Sequence, residues 1–288
     1  MPIIGGHTGP ILDCDFSPFH ENCLATASTD GTVKIWMIPE EGIKENTKVC
    51  DADLRGHSKK VQMLKFHPTS EFTLASSCYS GSIKVWDIQN EHSQMSYDQL
   101  GGAPQSLEWN YDGSRIACIT KEKKMHILDP RAPGDAQKTT AHSGNKTQRM
   151  KWMGNTGNII SVGFSDFNER QYAVWDSRSF DKPLTMNKLD NTTQIAWMHY
   201  DDSSNILYLV NKAQKTTEFW YLHETGPEGK PWMQAIDKHV GDGNLQGMYF
   251  LPKKDVKFME NELERGLRFT GTSAEYVSFK LKRMSGSF

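Results

Sequence analysis

His7, Ser28, Asp30 and Trp36 bring together groups that could serve either of two chemistries. A histidine, a hydroxyl and a carboxylate are the parts of a nucleophilic hydrolase, and with an indole N–H added they also make a closed chain of hydrogen-bond donors and acceptors. Spacing decides between the two. Trp36 follows His7 by 29 residues, Trp86 follows His57 by the same 29, and the two histidines are 50 apart. A constellation that returns with each repeat answers to the fold and not to a reaction. The second copy keeps His57 and Trp86 but has Cys78 and Ser80 in the other two places, which predicts a weaker network. The third puts Glu122 and Leu128 where the acid and the indole would sit, and the fourth restores His142 and Trp175. No phosphate loop, paired-histidine metal motif or nucleophile elbow occurs. The expectation is a protein without catalytic residues, metal or cofactor.

The elements that must position these residues are short strands. Segments of four to eight β-branched and aromatic residues, such as Ile11 to Phe16 and Val33 to Trp36, are separated by Gly, Asp, Asn or Pro turns. Only Val256 to Arg265 carries a helical period. Four strands per unit, opened by Gly-His and closed by Trp-Asp, are the signature of a WD40-type β-propeller. The predicted fold is therefore all-β, a single domain over 1–288. Its units run approximately 6–55, 56–100, 101–141, 142–190 and 191–240, with a partial unit at 241–288.

Bulk properties exclude several classes. Thirty-three basic side chains balance 35 acidic ones, so no global field marks a nucleic-acid binder, and aromatics interleaved with lysines are not apparent. Five cysteines with no CxxC pair suggest reduced, buried thiols. No apolar run approaches the roughly 20 residues of a transmembrane helix.

The order and wording of the units resemble the coronins, a family of actin-associated propeller proteins. The residues that carry the resemblance are Gly6-His7-Thr8-Gly9-Pro10-Ile11-Leu12-Asp13, Trp36 with Ile38-Pro39-Glu40, and Leu128-Asp129-Pro130-Arg131. Gly163-Phe164-Ser165 with Glu169-Arg170-Gln171, Leu189-Asp190, and Gly247-Met248 before Leu251-Pro252-Lys253 extend it over nearly the whole chain. The resemblance implies a seven-bladed ring, an actin-filament partner, an actin-branching complex as a further partner, and a place in the cytoplasm at the actin cytoskeleton or cell cortex. Against that pattern the chain supplies about five complete units and part of another. It is expected to be a fragment that begins at the second blade and lacks the family's C-terminal extension and oligomerising coiled coil.

Propeller topology places the loop that leads into each unit and the turn between its second and third strands on one face. Lys59, Lys60, Lys121, Lys123, Lys124, Lys146, Arg149, Arg170, Lys212 and Lys215 fall there, against Asp30, Glu122, Asp166 and Glu169. The opposite face collects Glu40, Glu41, Glu45, Glu71, Asp112, Asp135, Asp181, Asp201, Asp202, Glu224 and Glu228. One face is expected to be basic and suited to an acidic protein surface, the other acidic. A different reading comes from Trp175-Asp176-Ser177-Arg178 and Asp129-Pro130-Arg131, which resemble the WDxR box by which some propellers dock on a cullin ubiquitin ligase as substrate receptors. A generic WD40 scaffold is the remaining alternative.

Overall fold

The computed structural model describes residues 2–132, 134, 136–192, 196–212, 215–226, 229–241 and 245–280. Strand follows strand in antiparallel meanders. The first sheet is β1 (Ile11–Phe16), β2 (Cys23–Ser28), β3 (Thr32–Met37) and β4 (Ala52–Arg55). The second holds β5 (Val61–Phe66), β6 (Thr73–Cys78), β7 (Ser82–Asp87) and β8 (His92–Tyr97). The third holds β9 (Pro104–Trp109), β10 (Ile116–Thr120), β11 (Lys124–Leu128) and β12 (Gln137–Thr140). The fourth holds β13 (Arg149–Trp152), β14 (Asn158–Phe164), β15 (Arg170–Asp176) and β16 (Thr185–Asp190). These four blades make one compact unit, Met1–Asn191.

Thr192–Phe288 is a second compact unit. Its four-stranded sheet runs β17 (Ala196–Asp201), β18 (Ile206–Asn211), β19 (Thr216–His223) and β20 (Trp232–Val240). A three-stranded sheet follows: β21 (Leu245–Phe250), β22 (Glu262–Thr270) and β23 (Ala274–Lys280). The architecture is a WD40-type β-propeller with six blade sheets among the described residues, against the seven that the resemblance implies. The helical period at 256–265 gives a 3-10 turn at Phe258–Glu260 and the start of β22 instead, because Glu262, Glu264 and Arg268 alternate inward on a strand.

Second strands are the driest. Every residue of β10 is buried, as are all but the first of β6 and β14. Apolar burial of this kind stabilises by roughly 1.5–3 kcal/mol per large side chain, and Ile, Leu, Val and Ala fill most of these strands around a few buried hydroxyls. First strands fasten one blade to the next. Asp13 Oδ2 accepts the backbone N–H of Leu64 at 3.0 Å, Trp109 Nε1 donates to the Lys65 carbonyl at 3.1 Å, and Lys151 pairs with Glu108 at 2.6 Å. In the second unit, Tyr208, Phe219, Phe250 and Phe279 form an aromatic cluster. Beside it Lys253 bridges the buried carboxylates of Asp201 and Glu264. Asp201 is thereby withdrawn from the expected acidic face, while Asp135 and Glu228 lie outside the described residues.

Three of the five cysteines, Cys23, Cys78 and Cys118, are buried as expected, but Cys14 is exposed and Cys50 is half-buried. All five are free thiols.

Candidate functional site

The recurrent His–hydroxyl–Trp constellation is assembled inside the first, second and fourth blades. In the first, His7 Nε2 and Trp36 Nε1 both meet the hydroxyl of Thr26, each at 2.8 Å. His7 Nδ1 lies 2.9 Å from Asp30, whose other oxygen accepts from the Thr32 hydroxyl at 2.7 Å. Burial opposes ionisation of Asp30, but hydrogen bonds from Thr32, His7 and the backbone of Thr8 outweigh it and hold the carboxyl far below its usual range. Ser28 stands outside this chain and corrects the expectation, since it donates to the Gly9 carbonyl and accepts from the Asp30 N–H. Its place at the end of β2, opposite Ile11, leaves it beside the turn and away from the indole.

The second blade repeats the pattern with Ser76 between His57 (2.7 Å) and Trp86 (2.7 Å), so Cys78 is not the linking group. The fourth uses Ser161 between His142 (2.9 Å) and Trp175 (2.8 Å). Burial lowers the imidazole pKa of His57 and His142 to about 4 in each case. These histidines are neutral, and through the shared hydroxyl each is joined to the tryptophan of its own blade. Among the described residues no group of three or more His, Cys, Asp or Glu side chains is placed to hold a metal ion.

The basic rim in the first unit is built from the turns that these networks anchor. The Gly31 turn of the first blade abuts the backbone of Lys59 in the loop leading into the second, and Gly81 abuts Gly102 in the same way one blade on. Lys123 Nζ reaches the Ser143 carbonyl of the next loop. Lys60 lies over the Tyr79 ring at 4.1 Å and Lys146 over Phe164 at 4.7 Å, so aromatic faces hold two of the ammonium groups in place. Lys59, Lys121 and Lys124 are exposed, and Lys124 bonds the Thr140 hydroxyl at 2.7 Å. Lys123 has φ 63°, the left-handed conformation that turns the chain back between β10 and β11. In the second unit Lys212 and Lys215 flank the β18–β19 turn and are exposed.

Two expected rim residues are not on it. Arg170 is fully buried and its guanidinium is paired with Asp190, to which the β15–β16 register holds it opposite. Arg149 begins a first strand, so its side chain turns toward the third blade and donates to the Gln105 carbonyl. Burial lowers its pKa. Neither guanidinium is presented to a partner. The opposite rim also differs from expectation, because Arg115, Arg131 and Arg178 accompany its carboxylates. Asp129 chelates Arg131 and Asp176 chelates Arg178 with matching geometry, each aspartate accepting from the guanidinium and, at 2.9 Å, from the backbone N–H of the arginine two residues on.

Comparison with known proteins follows the same repeat. The family model described as WD domain, G-beta repeat, matches residues 2–37 and 48–87. Coronin-A of Dictyostelium discoideum is 34% identical over 288 residues, covering 100% of this chain and 63% of that protein. Coronin-like protein crn1 of Schizosaccharomyces pombe is 31% identical, covering 98% and 47%. Coronin-2A of Bos taurus is 29% identical, covering 100% and 55%. The chain thus spans about half to two-thirds of the length of these relatives. Among solved structures, the WD40 domain of Toxoplasma gondii coronin superposes with TM-score 0.90 at 29% identity, over 98% of this chain and 72% of that one. A chain of the mitotic checkpoint complex superposes with TM-score 0.69 at 15% identity, a likeness of fold alone.

Proposed function

Because this chain belongs to the coronin family of WD-repeat proteins, we propose that it is a non-catalytic binding module for actin filaments that helps organise the actin cytoskeleton. The observation that carries the reading is the run of exposed or half-exposed lysines, Lys59, Lys60, Lys121, Lys123 and Lys124, on one continuous rim of the first unit. A rim of that sign accelerates and orients encounter with an acidic protein surface, and it does so less at high salt. Lys212 and Lys215 supply the corresponding charges in the second unit. An actin-branching complex is a further partner implied by the family, and the cell cortex is the site where both would be met.

The reading as a ubiquitin-ligase receptor is not favoured. The relatives are coronins, and the Arg178 guanidinium of the WDxR-like segment is taken up by Asp176 at 3.0 Å.

Co-sedimentation with actin filaments tests the proposal. The chain is expected to pellet at low salt and to lose affinity as salt rises. The triple reversal Lys59→Glu, Lys121→Glu and Lys123→Glu is expected to weaken binding roughly tenfold or more, the factor that about 1.4 kcal/mol represents, with an unchanged melting temperature. Absence of pelleting at low salt by a folded chain, or indifference to the triple reversal, would defeat it.

A further inference from the structure

A cavity of about 220 Å³ opens on the rim opposite the lysines, between the third and fourth blades. One wall is the β9–β10 turn with Tyr111 and Arg115, the other is the β13–β14 turn with Asn155 and Gly157, and Trp152 and Ser177 complete the lining. Both turns are rigid. Asp112 Oδ1 accepts from Asn110 Nδ2, the Ser114 N–H and the Ser114 hydroxyl at 2.7–2.9 Å, and His67 ties the Gly113 carbonyl to the second blade at 3.0 Å. On the other wall Thr156 caps Met153 at 2.7 Å and the Ser177 N–H bonds the Gly157 carbonyl at 3.1 Å.

The lining brings one guanidinium, Arg115, and one carboxylate, Asp112, to the cavity. Asp112 is held to its own turn through Oδ1, Asp129 is chelated by Arg131, and Asp176 is chelated by Arg178. Arg115 has a half-exposed guanidinium with no carboxylate within ion-pair distance among the described residues, although its charge helps hold the Asp129 carboxyl low. Its backbone is fixed by reciprocal bonds with Asn110, at 2.9 Å to the Asn110 side chain and 3.0 Å from the Asn110 N–H. A guanidinium held at the mouth of a preformed pocket presents a planar fork of donors matched to a carboxylate. Tyr111 is 61% exposed and stands beside it as an aromatic wall with no partner to cover it.

From this geometry we propose that the cleft between the β9–β10 and β13–β14 turns is an anchor pocket for a single Glu or Asp side chain on an extended segment of a protein partner. The volume is below the roughly 300–1,000 Å³ of sites for small organic ligands, which selects one side chain over a metabolite. The carboxylate binds Arg115, the amide of Asn155 and the hydroxyl of Ser177 are within the same lining to donate to it, and its methylene stem lies against Tyr111 and Trp152. The pocket lies on the rim opposite Lys59 and Lys123, so it holds or fails independently of filament binding.

Amide spectra of the ¹⁵N-labelled chain, titrated with the blocked peptide acetyl-Gly-Glu-Gly-amide, test it. The expected result is saturable shifts at Gly113, Gly154 and Gly157 with a dissociation constant on the order of 1 mM. The matching Gln peptide is expected to bind roughly fivefold or more weakly, and Arg115→Gln to abolish the preference for Glu over Gln. Tyr111→Ala, a second variant at an exposed side chain, is expected to weaken both peptides while leaving the preference intact. Equal response to the two peptides, shifts confined to the lysine rim, no saturable shift, or an unaltered preference in Arg115→Gln would each overturn the proposal. Where Arg115→Gln lowers the melting temperature, Tyr111→Ala and the Glu-against-Gln contrast in the unsubstituted chain still decide it.

Discussion

The third and fourth blades lie side by side in the first unit on the same four-stranded pattern, and they are fastened by opposite chemistry. The fourth is polar at its centre, with His142, Ser161 and Trp175 sharing one hydroxyl. In the third, the strand registers put Cys118 at the place of Ser161 and Leu128 at the place of Trp175, with Leu100 buried near them. The basic residue at the turn differs as well. Arg170 is buried against Asp190, whereas Lys123 stands on the rim. A blade of this shape therefore tolerates either a shared-hydroxyl network or a largely apolar plug, and the plug of the third blade still contains the buried imidazole of His126.

The contrast should be widest at the basic turn. Arg170→Ala removes the partner of Asp190 from a fully buried site and is expected to cost about 3–5 kcal/mol in urea denaturation. Lys123→Ala is expected to stay within about 0.5 kcal/mol, as an exposed rim residue should. Similar losses from the two would mean that the rim lysine is as structural as its buried counterpart, and would remove it from the proposed binding surface.

Ser161→Ala is next. It deprives two buried groups at once, Trp175 Nε1 and His142 Nε2, for an expected loss of about 2–4 kcal/mol. Cys118→Ala at the matching position of the third blade removes only a small apolar group and should cost about 1 kcal/mol. An equal pair of losses would show the hydroxyl to be a spacer and not a shared hydrogen-bonding centre.

Acid tests the network of the fourth blade in a second way. His142 is neutral in the folded chain, with its pKa lowered to about 4 by burial, while the unfolded chain takes up a proton near the ordinary histidine value of about 6.5. Below that value the unfolded state binds more protons, so stability falls as pH drops from 6.5 toward 4 and rises again on return. The loss by pH 5 should be about 2 kcal/mol from this residue, and His142→Asn should flatten the profile in melting experiments. An unchanged slope would mean that His142 is already protonated in the fold or exposed by it.

Much of this was legible in the sequence, for reasons that can be located. The 29-residue interval from His7 to Trp36 and from His57 to Trp86 carries through because strand lengths and turns are conserved between the first two blades. Ser28 is not the linking hydroxyl, and a further regularity marks the residues that are: Thr26, Ser76 and Ser161 each follow their histidine by 19 residues. Residues 26 and 28 point to the same side of β2, so alternation alone does not distinguish them; only the cross-strand register does. Arg170 leaves the rim for a similar reason. Its pairing with Asp190, 20 residues on, is set by the β15–β16 register and is invisible to a rule that sorts charges by turn. Arg115 was absent from the expected opposite face because carboxylates outnumber guanidiniums there, and net counts do not show which carboxylates are already occupied.

The smallest expected effect tests the apolar half of the contrast directly. Cys118 is buried, and burial raises its thiol pKa far above the ordinary cysteine range, so the side chain behaves as a small hydrophobe. Cys118→Ser changes little volume but places a hydroxyl where Leu128 stands in place of the indole of the fourth blade, at an expected cost of about 1–2 kcal/mol. The identical hydroxyl at Ser161 is stabilising one blade away, which makes the sign depend on the neighbours and not on the residue. A neutral or stabilising Cys118→Ser would mean that the third blade retains an unused polar partner, for which buried His126 on the paired strand β11 is the candidate. Thiol alkylation of the folded chain offers an independent reading. Exposed Cys14 should react first and Cys118 only on unfolding, and reversal of that order would place solvent inside the third blade.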